Sequence, residues 1–250
     1  SMNLKNSNLI QKFFNTYYWR QHPEAALRYF PVVSELKSAK LTNSKILEIG
    51  PGSLGIIPYL KKTIDGVDVD FSGPKTNLLN KIKGSAWELP FRKNIYDVSI
   101  SVDVLEHIEP GLRERAVFEM LRVTKQLSII VVPCGEESEQ QDKELQAHWN
   151  KIFIKKNRFL DEHVHYGLPK SDEILVYIDR SLRKLDKKAK ITSYSNLNLK
   201  LRNILMRTWI TKSKYLYYLY LKGYLFFLPL LKLSNFGKTY RRVFVIKFSQ

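Results

Sequence analysis

The run Lys45-Ile-Leu-Glu-Ile-Gly50, followed at once by Pro51-Gly-Ser-Leu-Gly55, constrains this chain more than any other stretch. A short apolar segment that ends in glycines reads as a buried strand running into a tight turn. Glycine there lets the main chain approach a ligand closely and aims the N-terminus of the next helix at it. The strand texture recurs at 64–70, 81–86, 96–102 and 127–133. Helical stretches fit between these segments, most clearly at 112–125, and strands alternating with helices predict a parallel sheet with right-handed crossovers. With 250 residues the chain can cover such a sheet and still carry an insertion.

The flanks are predicted from periodicity. Residues 4–40 read as helical, with Leu9, Phe13, Phe14 and Tyr17 on one face, a break at His22–Pro23 and a second helix from Glu24 to Lys40. Beyond Pro133 the alternation stops. Residues 134–170 hold two short aromatic-rich segments, 171–188 reads as an amphipathic helix, and 190–196 and 241–248 read as two last strands. A structureless loop spanning 198–236 would be out of proportion for a compact domain, so that segment is expected to be helical.

The glycine turn formally matches G-x-G-x-x-G, with acids 18 and 20 residues past Gly50 (Asp68 and Asp70), and so admits a dinucleotide as ligand. Glu48 is awkward beside a pyrophosphate but well placed to attract the ammonium of an amino-acid ligand. Asp68, ending the second strand, can accept both hydroxyls of a ribose, whereas Asp70 reads as a solvated acid.

The pieces ILEIGPGSLG, GVDVD, GSAWELPF and YDVSISVDVLEHI stand in the order and at the spacings of class I S-adenosylmethionine-dependent methyltransferases. They are most similar to the small-molecule group, methyltransferase type 11, which includes ubiquinone-biosynthesis and glycan-modifying enzymes. The resemblance covers residues 40–135 and implies an α/β, Rossmann-like sheet of seven mostly parallel strands, helices on both faces and the last strand antiparallel. It divides the chain into an N-terminal helical segment (1–40), a methyltransferase domain (41–197 and 237–250) and a basic, aromatic helical insertion (198–236). It implies S-adenosyl-L-methionine as cofactor. Glu48, Gly50 and Gly52 would lie at its methionine and ribose side, Asp68 at the ribose hydroxyls, Ser85, Ala86 and Trp87 around the adenine, and Val102 and Asp103 where the fourth strand closes the site. Serine at 85 departs from the aspartate common in relatives, which weakens adenine recognition without moving it. Trp87 reads equally as a stacking lid or as core.

Methyl transfer from a sulfonium is a direct displacement that needs alignment; a sugar hydroxyl as acceptor also gains from a general base, worth about 10² to 10⁴ in rate. Candidates are His107, Glu106 and Asp103 after the fourth strand, and Asp161, Glu162, His163 and His165 in the later excursion, with His107, Glu162 and His163 preferred. The segment Arg158 to Pro169 also resembles a piece of methyltransferases found near glycan and lipopolysaccharide genes. His163 and His165 alternate as strand neighbours would, and with no third or fourth ligand in view no metal site is expected. Cys134, the single cysteine, reads as a buried thiol, not a nucleophile.

The net charge of +17 is unevenly placed: residues 151–250 hold 22 of the 41 Lys/Arg but 6 of the 24 Asp/Glu, and no acid follows Asp186. That asymmetry implies an anionic or interfacial partner. Between Trp209 and Leu233 the apolar runs are broken by Lys222, Gly223 and Pro229, too short to span a bilayer. Tyrosines, leucines, phenylalanines and flanking lysines suit an anionic membrane surface, and the expected acceptor is a glycan, lipid-linked saccharide or related small molecule. Nucleic acid is the alternative partner, weighed lower because the Leu/Phe content is high for a solvated groove; a buried subdomain or dimer face is another. A non-catalytic, cofactor-binding partner subunit is a third function class. Met2 reads as the start, with nothing after it resembling a signal peptide, which predicts a cytoplasmic protein.

Overall fold

The computed structural model describes residues 12–249 apart from Phe14. The expected apolar positions Leu9 and Phe14 therefore lie outside the described residues, while 12, 13 and 15–17 are helical. Helix α1 (Pro23–Ser38) begins where the sequence put the break, with proline at its first position, where the missing N–H costs nothing.

Seven strands form one sheet in the order β3-β2-β1-β4-β5-β7-β6: β1 Ile46–Ile49, β2 Ile64–Asp68, β3 Leu79–Lys83, β4 Tyr96–Val102, β5 Thr124–Pro133, β6 Ala189–Asn198 and β7 Thr239–Phe248. β1 to β5 are parallel, and β7 runs antiparallel to both β5 and β6. The third strand ends earlier than its sequence segment suggests, because residues 84–88 form a turn closed by a bridge between Ser85 and Glu88.

Both faces of the sheet are covered, which is why β1 and β5 read as continuous apolar runs instead of alternating ones. On one face α3 (Pro110–Val123) packs Ala116, Val117, Met120 and Leu121 against Ile174, Ile178 and Leu182 of α6 (Ser171–Leu185) and against Ile130 and Phe244 of the sheet. On the other, Tyr29, Val32, Val33 and Leu36 of α1 cover Ile46, Ile100, Ile129 and Val245. A short helix α2 (Ile57–Leu60) follows the glycine turn.

Residues 134–170 depart from expectation. They hold a long helix, α4 (Glu136–Ile152), and a second, α5 (Arg158–Tyr166), so His163 and His165 are helical and not strand neighbours. Residues 198–236 are helical as expected. α7 (Leu199–Trp209), capped by the Asn198 side chain, is followed by a helix at Lys214–Tyr218, a π-helical turn at Leu219–Gly223, and short helices at Tyr224–Phe226 and Leu228–Leu231. Leu205, Tyr220, Leu225 and Leu228 of this segment pack on Ala26 and Leu27 of α1. Among the described residues no helix is long and apolar enough to cross a membrane.

Candidate active site

In this strand order β1 lies between β2 and β4, where the direction of winding reverses, and such a switch point opens a crevice beyond the carboxyl ends of the strands. A cavity of about 740 Å³ sits there.

The glycine turn forms its floor. Gly50 has φ of +70°, and a Cβ on it would meet Val104 Cγ2 at 2.5 Å, so glycine is required both for the conformation and for the approach of the next chain segment. The Gly50 amide donates to Val67 O at 2.9 Å, and the Gly52 amide to Asp68 Oδ2 at 2.8 Å. Asp68 Oδ1 accepts from the Asp70 amide at 3.1 Å. Ile49, Gly50, Pro51, Gly52 and Asp68 all line the cavity. Asp70, exposed, spends its carboxylate on the Ser72 amide and hydroxyl.

Glu48 differs from expectation. It is fully buried and does not line the cavity: Oε1 accepts from the Tyr29 hydroxyl at 2.7 Å and Oε2 from the Ile56 amide at 2.8 Å. A Cβ at Gly55 would overlap Oε2, so the turn is wrapped around this carboxylate. The acid expected to face an ammonium braces the loop from inside. Burial raises Glu48 to about 7 against the opposing bonds from Ile56 and Tyr29. A carboxyl whose folded value lies above its unfolded one, near 4.5, contributes stability that is present below about pH 4.5 and lost as pH rises through about 7. Ligand-free protein is expected to lose on the order of 2–3 kcal/mol between pH 5 and 8 from this group. Urea unfolding of Glu48→Gln across that range should show a flatter profile; an unchanged slope would contradict the assignment.

Of the residues expected around an adenine, Ala86 and Trp87 line the cavity, as does Gly84, but Ser85 does not, standing in its bridge with Glu88. Trp87 is half-buried, packing on the core and also lining the cavity.

Val102 and Asp103 line the cavity where β4 ends. Asp103 adopts φ of +52° and is clasped by two guanidinium groups: Arg241 Nε reaches its oxygens at 2.7 and 3.0 Å, and Arg28 at 2.9 Å. Arg241 also pairs with Glu24. Burial alone would raise the Asp103 carboxyl, but Arg241 and Arg28 outweigh it and hold it well below the usual range. Both Asp103 oxygens are thus already taken by guanidinium donors, which disfavours a role as base. Cys134 is a free thiol that burial pushes up to about 12, and it does not line the cavity.

The three preferred catalytic residues come together although 55 and 56 residues separate His107 from the other two. His107 Nδ1 lies 2.7 Å from Glu162 Oε2, and His107 Nε2 lies 3.2 Å from His163 Nε2. His163 Nδ1 meets Asp142 Oδ2 at 2.8 Å, and Asp142 also takes the Tyr240 hydroxyl and pairs with Arg202. Glu106, fully buried, directs Oε1 to within 4.0 Å of His107 Nε2 and 3.9 Å of His163 Nε2. No metal site was expected, for want of a third or fourth ligand with His163 and His165; Glu106 and His107 both come within 3.9 Å of His163 Nε2. Asp161 instead accepts from Gln146, and His165 packs against Tyr166.

Sequence reasoning missed much of the rest of the cavity wall: Glu24, Arg28 and Tyr29 from α1, Arg202, Met206 and Trp209 from α7, Tyr220, and Tyr240 and Arg241 from β7. One signal was available. Arg241 interrupts a strand whose other buried positions are Tyr240, Val243, Phe244, Val245 and Ile246.

Residues 47–132 match a family model described as a methyltransferase domain. A tRNA (carboxymethyluridine(34)-5-O)-methyltransferase of Arabidopsis thaliana is 26% identical over 146 residues, 56% of this chain and 35% of that protein, so the chain spans about a third of that relative's length. Among solved structures, a putative sarcosine dimethylglycine methyltransferase from Galdieria sulphuraria superposes with a TM-score of 0.51 at 16% identity, covering 95% of this chain and 97% of that one. The MccD protein does so with a TM-score of 0.50 at 14% identity, covering 87% and 96%. At these identities the structural likenesses speak to the fold.

Proposed function

We propose that this chain, whose residues 47–132 match a methyltransferase domain, uses S-adenosylmethionine to O-methylate a hydroxyl of a glycan, lipid-linked saccharide or related small molecule at an anionic membrane surface. The observation that carries the acceptor half is the position of residues 198–236. Met206, Trp209 and Tyr220 line the cavity, while Tyr215, Tyr218, Leu230, Leu233 and Phe236 of the same segment are exposed at 90, 57, 66, 68 and 70%. One segment thus presents an apolar, aromatic face outward and a cavity wall inward, amid lysines and with no acid in it. Aromatic and aliphatic side chains at the headgroup level, with lysines meeting anionic lipid, are the chemistry of an interfacial anchor.

Bound S-adenosylmethionine supplies an electrophilic methyl group on its sulfonium. Within this reading the turn at Gly50 and Gly52 admits the cofactor's backbone-facing side, Asp68 accepts the ribose hydroxyls, and Ala86 and Trp87 flank the adenine. Glu48 stiffens the turn. Asp103, locked by Arg28 and Arg241, holds the end of β4 in place, and the His107–Glu162–His163 cluster receives the acceptor hydroxyl. Fixing the two reactants in line can supply about 7–11 kcal/mol of the barrier.

The full chain is expected to float with phosphatidylcholine vesicles containing phosphatidylglycerol at low salt, and far less with phosphatidylcholine alone. Combined Tyr215→Ser, Leu230→Ser and Leu233→Ser substitutions should reduce that binding severalfold. Failure to float with the anionic vesicles would remove the membrane half of the reading. A second reading, RNA as acceptor, is favoured by the similarity to a tRNA methyltransferase and by the charge of +17; it requires RNA binding that weakens steeply with salt.

A further inference from the structure

We propose that Glu106, His107 and His163 bind a divalent transition-metal ion at the acceptor end of the cavity, open on one side to an oxygen of the substrate. The three residues offer one ligand atom each within 4.8 Å of one another. All three line the cavity, with Glu106 and His163 buried.

The hydrogen bonds decide which ring atoms are available. Glu162 is paired with Arg158 and Asp142 with Arg202, so both are carboxylates that can only accept. The Nδ1 atoms of His107 and His163, at 2.7 and 2.8 Å from them, must therefore donate. With both Nδ1 atoms committed, the Nε2 atoms are the ring atoms left to take a ligand, and they face each other at 3.2 Å. Beside them stands a Glu106 carboxyl group, fully buried, whose oxygens find no hydrogen-bond donor in another residue. Three ligand atoms converge on one point with no donor from any other residue between them, an arrangement that needs a shared proton or a metal cation at that point.

The dimensions fit. Sides of 3.2, 3.9 and 4.0 Å place a common point about 2.2 Å from Oε1 and both Nε2 atoms, close to the bonds of about 2.0–2.2 Å that imidazole and carboxylate make to zinc. Two imidazoles and one carboxylate, each imidazole backed by a second carboxylate, suit Mn²⁺, Fe²⁺, Co²⁺ or Zn²⁺. On the reading of the cavity given above, the open coordination positions face the acceptor, where the ion would bind a hydroxyl oxygen and make it more acidic.

The test uses chelator-treated full-length protein titrated with Co²⁺ and followed by its visible absorption, and with Mn²⁺ followed by loss of the free-ion resonance signal. One ion per chain is expected. Glu106→Gln and His163→Asn should each weaken binding by more than tenfold with unchanged circular dichroism, and Glu162→Gln, which leaves the ligands in place, by about 10- to 100-fold. Absence of Co²⁺ binding by the unsubstituted protein, or binding that survives both ligand substitutions, overturns the proposal. Binding does not depend on turnover. An ion held at this site by a protein that methylates nothing would count against the functional reading while leaving the site intact, and methylation undiminished in protein that takes up no ion would do the reverse.

Discussion

Replacing Arg241 by alanine is expected to lower the stability of the protein by about 3–5 kcal/mol. The guanidinium is 2% exposed and holds two carboxylates, Asp103 at 10% and Glu24 at 13% exposure. Removing it leaves Asp103 with Arg28 alone and Glu24 without its ion-pair partner, and a buried charge without compensation is what makes such a loss large. Asp103 adds to the cost because its left-handed backbone is held by those same bonds. Arg241→Lys should recover only part of the loss, since an ammonium does not reproduce the forked contact. Urea unfolding at neutral pH measures this directly, and a loss under about 1 kcal/mol would mean that the pairing is not what fixes the end of β4. The sign with pH follows. Asp103, held below its ordinary value, contributes stability that is present above the unfolded carboxyl value and lost as pH falls toward the folded one. The difference between the unsubstituted protein and Arg241→Ala should shrink on acidification.

Asp68→Ala is expected to weaken binding of S-adenosylhomocysteine by at least about 10²-fold. If the carboxylate receives two ribose hydroxyls, two charge-assisted hydrogen bonds of about 1.5–3 kcal/mol each are lost, and each 1.4 kcal/mol is tenfold. The Gly52 amide also loses its acceptor at 2.8 Å, loosening the turn. The control is built into the sequence two residues away: Asp70 is exposed and committed to Ser72, so Asp70→Ala should change affinity less than threefold. Calorimetry on the two variants separates the cases, and equal effects would mean that the ribose lies elsewhere.

Why the two halves of the cavity differed in legibility is visible in particular residues. The half of the cavity proposed to take the cofactor is nearly contiguous: Gly50, Gly52, Asp68, Ala86, Trp87 and Val102 each sit at or just beyond the end of a short apolar run, and the runs themselves announced β1, β2, β4 and β5. Even there direction was hidden. Nothing in the order of residues says that Glu48 turns toward Tyr29 and Ile56, or that Ser85 turns toward Glu88, because both depend on a neighbour brought in by folding. The half proposed to take the acceptor is assembled around α1, α4, α5, α7 and β7, and its contacts join residues as far apart as 217 positions. Helix α4 shows why periodicity failed. Its buried positions are Ser138, Asp142 and Leu145, correctly spaced for one helical face but two of them polar. Those polar groups serve the site: Asp142 binds His163, Tyr240 and Arg202, and Ser138 donates to Tyr240 O. The hydrophobic pattern is lost where polar groups occupy the core, and the same substitution of polar contacts for packing hid the meeting of Glu106, His107 and His163.

The measurement closest to the central claim is transfer of labelled methyl from S-adenosylmethionine into an extract of the source cells by the full chain, with the products separated into lipid, glycan, RNA and protein. The account predicts label in lipid or glycan, abolished by Asp68→Ala and strongly reduced by His107→Ala. Label confined to RNA would reassign the basic 198–236 segment to phosphate binding and contradict the proposed acceptor. No label in any fraction, from protein that binds S-adenosylhomocysteine, would contradict catalysis and place the chain as a cofactor-binding partner of another subunit.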